Sequence, residues 1–206
     1  MKERPILFSS DMVRAILNGQ KTQTRRVIKS IKGCKEFIVG GKDIVDVQCY
    51  LDQPSALALI TMGHLAKVCS FGQPGDQLWV RETFAYKSEN EVIYKAAYDV
   101  ADGFGSGILD FKTGNITPLI WRPSIHMPRW ASRINLVIKD IRVESLQDIS
   151  EKKAKAEGVI PSLVGSDLNH LKYRAGFQTL WDSINAKRGY GWDVNPWVWV
   201  IEFERV

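Results

Sequence analysis

Residues 134–143, INLVIKDIRV, alternate apolar and polar side chains over a run long enough to cross a whole sheet. Such a strand reads as central to a sheet, because both of its backbone edges need partners. Residues 197–203, WVWVIEF, form a second strongly β-prone run that closes the chain. Between them lie helical patterns. Residues 149–157 run up to Gly158, and a longer stretch from Ser166 or Asp167 to Lys187 carries Phe177, Leu180, Trp181 and Ile184 on one stripe. That stripe reads as core. The other strands are too short and curved for a doubly wound sheet, which predicts one α+β domain over residues 1–206.

With 206 residues, 45% of them hydrophobic and 25% charged, the chain has the composition of a globular protein with a sizeable core. No apolar run approaches the ~20 residues that span a bilayer, and MKERPILFSS has no long apolar core or small-residue cleavage site, so no signal peptide is expected. We therefore expect no membrane association. Cys34, Cys49 and Cys69 lack CxxC spacing, which argues against a disulfide framework or a zinc site and fits a reducing cytoplasm. His64, His126 and His170 are scattered. Nothing points to a metal or an organic cofactor.

The placement of the +5 charge says more than its size. Between Gly19 and Lys35 there are six Lys/Arg and no acid; between Pro118 and Lys139 there are four, again with no acid. Lining one cleft, the two stretches would attract a polyanion; on separate faces they would be ordinary solvated surface.

The first basic stretch follows a helix signal. Ser9 or Ser10 is an N-cap candidate, Met12, Val13, Ile16 and Leu17 recur at helical spacing, and Gly19 stops the helix. Then comes a polar, β-prone run, Lys21, Thr22, Gln23, Thr24, Arg25, Arg26 and Val27. It reads either as a functional site or as a charged edge strand.

Glycines interrupt residues 30–72, where FIVGGKDIV suggests two short strands about a Gly-Gly turn and residues 54–69 form a short helix or buried strand. Residues 77–86 and 92–98 read as strands, and 99–117 as a loop or hairpin without phosphate-loop spacing. Three prolines make 118–133 an ordered irregular loop. Its Arg122, Arg129, Trp130 and Arg133 suit base stacking and phosphate contact, whereas Trp121 and Trp130 could equally anchor the loop to the core. Glu157 closes a helix at the end where the helix dipole disfavours a carboxylate, which marks it as a residue placed for a task or as a solvated last turn.

Residues 16–25 (ILNGQKTQTR), the Pro74-Gly75-Asp76-x-Leu78-x-Val80 strand entry and residues 149–158 together resemble the ASCH family of the PUA-like superfamily. In the family pattern G-x-K-x-x-E-x-R, Gly19, Lys21 and Arg26 fit and Thr24 replaces the Glu. The chain looks closer to the small bacterial ASCH amidohydrolases that deacetylate N4-acetylcytidine, and also to phage and prophage ASCH-like proteins. The resemblance implies a small, partly open β-barrel flanked by helices, with 30–72 and 99–130 as elaborations. It implies Lys21, Thr24 and Glu157 as catalytic residues, and the partner as a modified nucleoside or a nucleic acid, RNA rather than DNA.

In such a site Thr24 would be the nucleophile or hold the attacking water, and Glu157 would shuttle a proton. Lys21 is expected to be the cation that stabilises the oxyanion, since a nearby Glu157 raises its pKa, unless the site is dry enough for burial to make it a base. Arg25, Arg26, Arg129 and Arg133 would hold the nucleotide. Lys21 and Thr24 would point to opposite faces of a regular strand, so their convergence requires a bulge or turn near residues 19–22. The alternative function is an RNA- or DNA-binding module, a modified-base reader or ribonuclease.

Overall fold

A computed structural model describes residues 1–28, 36–39, 46–50, 57–61, 69–88, 91–101, 107–109, 116–163 and 171–206. In chain order these form β1 (Glu3–Leu7), α1 (Ser10–Leu17), β2 (Gln23–Val27), β3 (Glu36–Val39), β4 (Asp46–Tyr50), β5 (Leu57–Thr61) and β6 (Gln77–Arg81). There follow β7 (Phe84–Ser88), β8 (Glu91–Tyr94), α2 (Lys95–Ala101), β9 (Gly107–Leu109), β10 (Ile116–Pro118) and β11 (Asn135–Ser145). Last come α3 (Glu151–Ala156), β12 (Ser162–Leu163), β13 (Leu171–Lys172), α4 (Tyr173–Asn185) and β14 (Trp197–Arg205).

The main sheet has the order β1-β6-β11-β14-β2. Only the β1–β6 pair is parallel. The long alternating strand β11 is central as expected, with β6 on one side and β14 on the other. The near-continuous apolar run of β14 has a direct cause: both of its faces are covered. Trp199, Ile201 and Phe203 pack with Ile6, Phe8 and the α1 residues Val13 and Ile16. Val198 and Val200 pack on the other side with Phe177 and Trp181 of α4.

The fold is therefore α+β, and the main sheet, expected as a partly open barrel, is not a closed one. No backbone pairing among the described residues joins the outer strands β1 and β2. The sheet curls far enough for one side chain to span the gap: Arg26 Nη2 of β2 donates to the Leu7 carbonyl of β1 at 2.6 Å.

Several local expectations change. Residues 77–86 are two strands, because Thr83 turns away to accept a hydrogen bond from Lys95 N while Phe84 starts a new ladder with Tyr94. Residues 92–98 are half strand and half helix. The KAAYDVA run is alanine-rich, and α2 docks on α1 with Arg14 Nη1 donating to the Ala96 carbonyl. β3 and β4 pair, with β4 beginning at Asp46; the Gly-Gly turn and the second short strand expected at Lys42–Val45 lie outside the described residues. Residues 54–69 contribute β5, which pairs with β4. Of the stretch 99–117 read as a loop or hairpin, Asp99–Ala101 belong to α2 instead, and β9 pairs antiparallel with β10. α4 begins at Tyr173, later than expected, because Leu171 and Lys172 pair with β12. The loop 118–133 is irregular and ordered, with 3-10 turns at Ser124–His126 and Arg129–Ala131.

Candidate active site

The site is built where the end of α3 meets the edge of β2. Ser9 caps α1 by accepting from Met12 N, and Gly19 ends the helix at φ +71°. Gln20 N and Lys21 N both donate to the Ala15 carbonyl, so the chain turns before it becomes a strand. This is the turn the sequence demanded near residues 19–22. Lys21 then bridges to Glu157, and Thr22 N donates to the Ala156 carbonyl, which ties the end of α3 to the edge of the sheet. Gly158 makes the approach possible: it holds φ +73°, and a Cβ there would lie 2.7 Å from both the Ala15 and the Lys21 Cβ atoms.

This docking places Glu157 beside an edge strand, where cations from both faces can reach it. Lys21 Nζ donates to Glu157 Oε2 at 3.0 Å and to the Glu157 carbonyl at 2.7 Å. Arg25 Nη1 donates to Glu157 Oε1 at 2.9 Å, and Arg25 Nη2 donates to Glu144 Oε2 at 2.9 Å. Glu144 is anchored in turn by Arg142 and Lys153. The result is a buried chain of alternating charge, Lys21–Glu157–Arg25–Glu144. Glu157 is thus no solvated last turn: its side chain is 4% exposed and that of Lys21 is 1% exposed.

Burial lowers the Lys21 pKa below the ordinary lysine value, outweighing the Glu157 carboxylate, which pulls the other way. The positive Arg26 and Arg25 add to the lowering. For Glu144, burial raises the pKa, but hydrogen bonds from Lys153 and Arg142 outweigh it and hold the carboxyl below its usual range.

Thr24 and Arg26 share the face of β2 opposite to Arg25. The Lys21 ammonium and the Arg26 guanidinium lie 5.5 Å and 5.3 Å from the centre of the same Phe8 ring, so Lys21 and Thr24 belong to one side of the strand. Thr24 is buried, and its hydroxyl has no hydrogen-bond partner among the described residues. No hydrogen bond joins it to Lys21. Thr24, Arg25, Arg26 and Glu157 line a cavity of about 460 Å³, with Lys21 behind Glu157. The opposite wall is the apolar stripe of α4, Phe177, Leu180, Trp181 and Ile184. The stripe read as core is therefore both: Phe177 and Trp181 are buried in a cluster, and the row as a whole faces the cavity.

The second basic stretch does not join this cavity. Arg129 pairs with Glu3 at 3.0 Å and Arg133 grips the buried Glu82 through two bonds of 2.9 and 3.0 Å. Arg122 lies over the Tyr86 ring at 4.9 Å, and Trp130, 59% exposed, stacks on the same ring at 6.1 Å. Trp121 packs edge-on to Tyr98. The single basic cleft allowed by the sequence is thus two separate places, and two of the three arginines of the second stretch, Arg129 and Arg133, and its lysine, Lys139, are matched by acids.

No family model, curated protein or solved structure matches this chain.

Among the described residues no cluster of His, Cys, Asp or Glu is arranged to hold a metal ion, and no helix is long and apolar enough to cross a membrane. Sequence reasoning missed Glu144, Glu82, Asn185 and Arg188. Glu144 and Glu82 find their arginines across 119 and 51 residues, and no spacing signals such pairs. Asn185 and Arg188 follow the α4 stripe directly, and reading that stripe as a cavity wall would have pointed to them.

Proposed function

We propose that this chain is an amidohydrolase of the PUA-like ASCH type, acting on an N4-acylated cytidine or a closely related modified nucleoside. The observation that carries the reading is the buried Lys21–Glu157 pair beside a cavity onto which the partnerless Thr24 residue opens. A volume of about 460 Å³ lies within the roughly 300–1,000 Å³ of small-molecule sites. Aromatic residues Phe177, Trp181 and Trp199 offer flat apolar surface for a base.

Hydrolysis of the amide divides among these groups as follows. Thr24 Oγ1 attacks the acyl carbonyl carbon, and its proton passes to the Glu157 carboxylate, which lines the same cavity. The developing oxyanion faces the positive charge of Arg25 and Arg26. Collapse breaks the C–N4 bond, and Glu157 returns the proton to the departing amine. Water then hydrolyses the threonyl ester, giving the carboxylic acid and restoring the hydroxyl. Lys21 and Arg25 hold Glu157 in place.

Incubation with N4-acetylcytidine tests the reading. Release of cytidine, lost in Lys21→Ala, Thr24→Ala and Glu157→Ala, supports it, and absence of turnover in the wild type removes it.

A second reading, an RNA-binding module, draws on the exposed Trp130 stacked on Tyr86 with Arg122 on the same ring. It predicts salt-sensitive oligonucleotide binding that Trp130→Ala abolishes.

A further inference from the structure

The cavity carries a charge that a neutral nucleoside does not use. Three arginines line it, Arg25, Arg26 and Arg188, against one acid, Glu157. Two of the three are committed. Arg25 spends both terminal nitrogens on Glu157 and Glu144, and Arg26 donates to the Leu7 carbonyl. Arg188 is different. It lies in the 3-10 turn Ala186–Arg188 after α4, exposed at the cavity margin, and no hydrogen bond or ion pair holds it among the described residues. Asn185 stands beside it on the same cavity, its amide nitrogen fixed on the Trp181 carbonyl at 3.2 Å.

We infer that Arg188 is a phosphate-binding residue and that the natural ligand is a nucleoside monophosphate. This rests on reading the cavity as a nucleoside site. A base against Phe177 and Trp181 points the rest of the molecule along α4, whose next lining residues are Asn185 and Arg188. A guanidinium free of acids at the open end of a net-positive cavity attracts a dianion and forms paired hydrogen bonds to phosphate oxygens. The catalytic cluster, by contrast, has its cations neutralised in pairs, which suits an uncharged acyl amide. The cavity volume, about 460 Å³, favours one nucleotide over a strand.

The test uses the whole protein and product-type ligands, so it does not depend on turnover. Binding of cytidine 5′-monophosphate and of cytidine is followed by tryptophan fluorescence, with Trp181 in the cavity wall as reporter. The monophosphate should bind at least about tenfold more tightly at low salt, and added salt should erode the difference. Arg188→Ala should abolish the preference, and Arg188→Lys should keep part of it. Equal binding of the two ligands, or a preference that survives Arg188→Ala, overturns the inference. So does tighter binding of a cytidine tetranucleotide than of the monophosphate, or failure of both ligands to bind. A protein that prefers the monophosphate yet leaves N4-acetylcytidine intact keeps this inference and loses the hydrolase reading. One that turns over N4-acetylcytidine without any preference for phosphate does the reverse.

Discussion

Lys21 and Glu157 lie 136 residues apart in sequence, yet their Nζ and Oε2 atoms pair at 3.0 Å inside the protein. The carboxylate also holds Arg25, so one acid neutralises two buried cations. Its position at the edge of β2 makes this possible, since Lys21 comes from one side of the strand and Arg25 from the other.

That asymmetry sets an order of stabilities. Removing Glu157 leaves Lys21 buried without an acid and Arg25 with only Glu144, whereas removing Lys21 leaves Glu157 still paired with Arg25. Glu157→Ala should cost about 3–5 kcal/mol and Lys21→Met distinctly less. Urea unfolding compares them, and an equal or reversed order would show that Arg25 does not share the carboxylate.

Lys21 also predicts the alkaline response. The folded protein holds this proton less tightly than the unfolded chain, because burial outweighs the Glu157 attraction. Between the lowered folded value and the ordinary value of 10.5 the unfolded state binds more protons, so stability rises with pH. It is lost again as pH falls through the folded value. Unfolding midpoints of wild type and Lys21→Met from neutral to alkaline pH should show the wild type gaining on the variant; parallel curves would refute this.

Gly158 is predicted to be a hinge pin of the site. Gly158→Ala places a methyl group 2.7 Å from Ala15 and Lys21 and forces an alanine into φ +73°. Overpacking and the left-handed backbone together should cost about 2–4 kcal/mol. Thermal denaturation measures the loss, and activity should fall with it because the α3–β2 junction must open.

Thr24 should behave oppositely, since its hydroxyl supports nothing structurally among the described residues. Thr24→Val should leave the unfolding midpoint close to wild type while lowering kcat by at least about a hundredfold. Thr24→Ser should retain part of the rate. A stable, fully active Thr24→Val protein would remove Thr24 from the chemistry.

Arg133 is assigned to the fold by its grip on Glu82, which is 1% exposed. Arg133→Ala leaves that carboxylate buried and unpaired, at a cost of about 3 kcal/mol or more. Arg133→Ala with Glu82→Leu should recover much of it. Binding of nucleotides should not follow the single variant's loss of stability, as measured at a temperature where the protein stays folded.

Much of this was legible beforehand because it is local. The Ser9 cap, the Gly19 stop, the alternation of 134–143 and the apolar run of 197–203 each report a backbone preference within a few residues. The same locality explains the misses. The break at Glu82 and Thr83 and the helix at Lys95–Ala101 follow from a hydrogen bond between Thr83 and Lys95 and from docking on α1, which no short window contains.

For the site, the sequence by itself supplied the residue types and the need for a turn before Lys21 and Thr24 could share a side. Only the tertiary structure decided the pairings. It brought α3 onto the edge of β2 and thereby Glu157 between Lys21 and Arg25. It also set Arg129 and Arg133 against Glu3 and Glu82, away from the cavity. Charge identity is written in the chain, whereas whether a charge meets an acid, a ligand or water depends on which distant segment the core packs against it. That is why the two basic stretches, alike in sequence, have different surroundings in the fold.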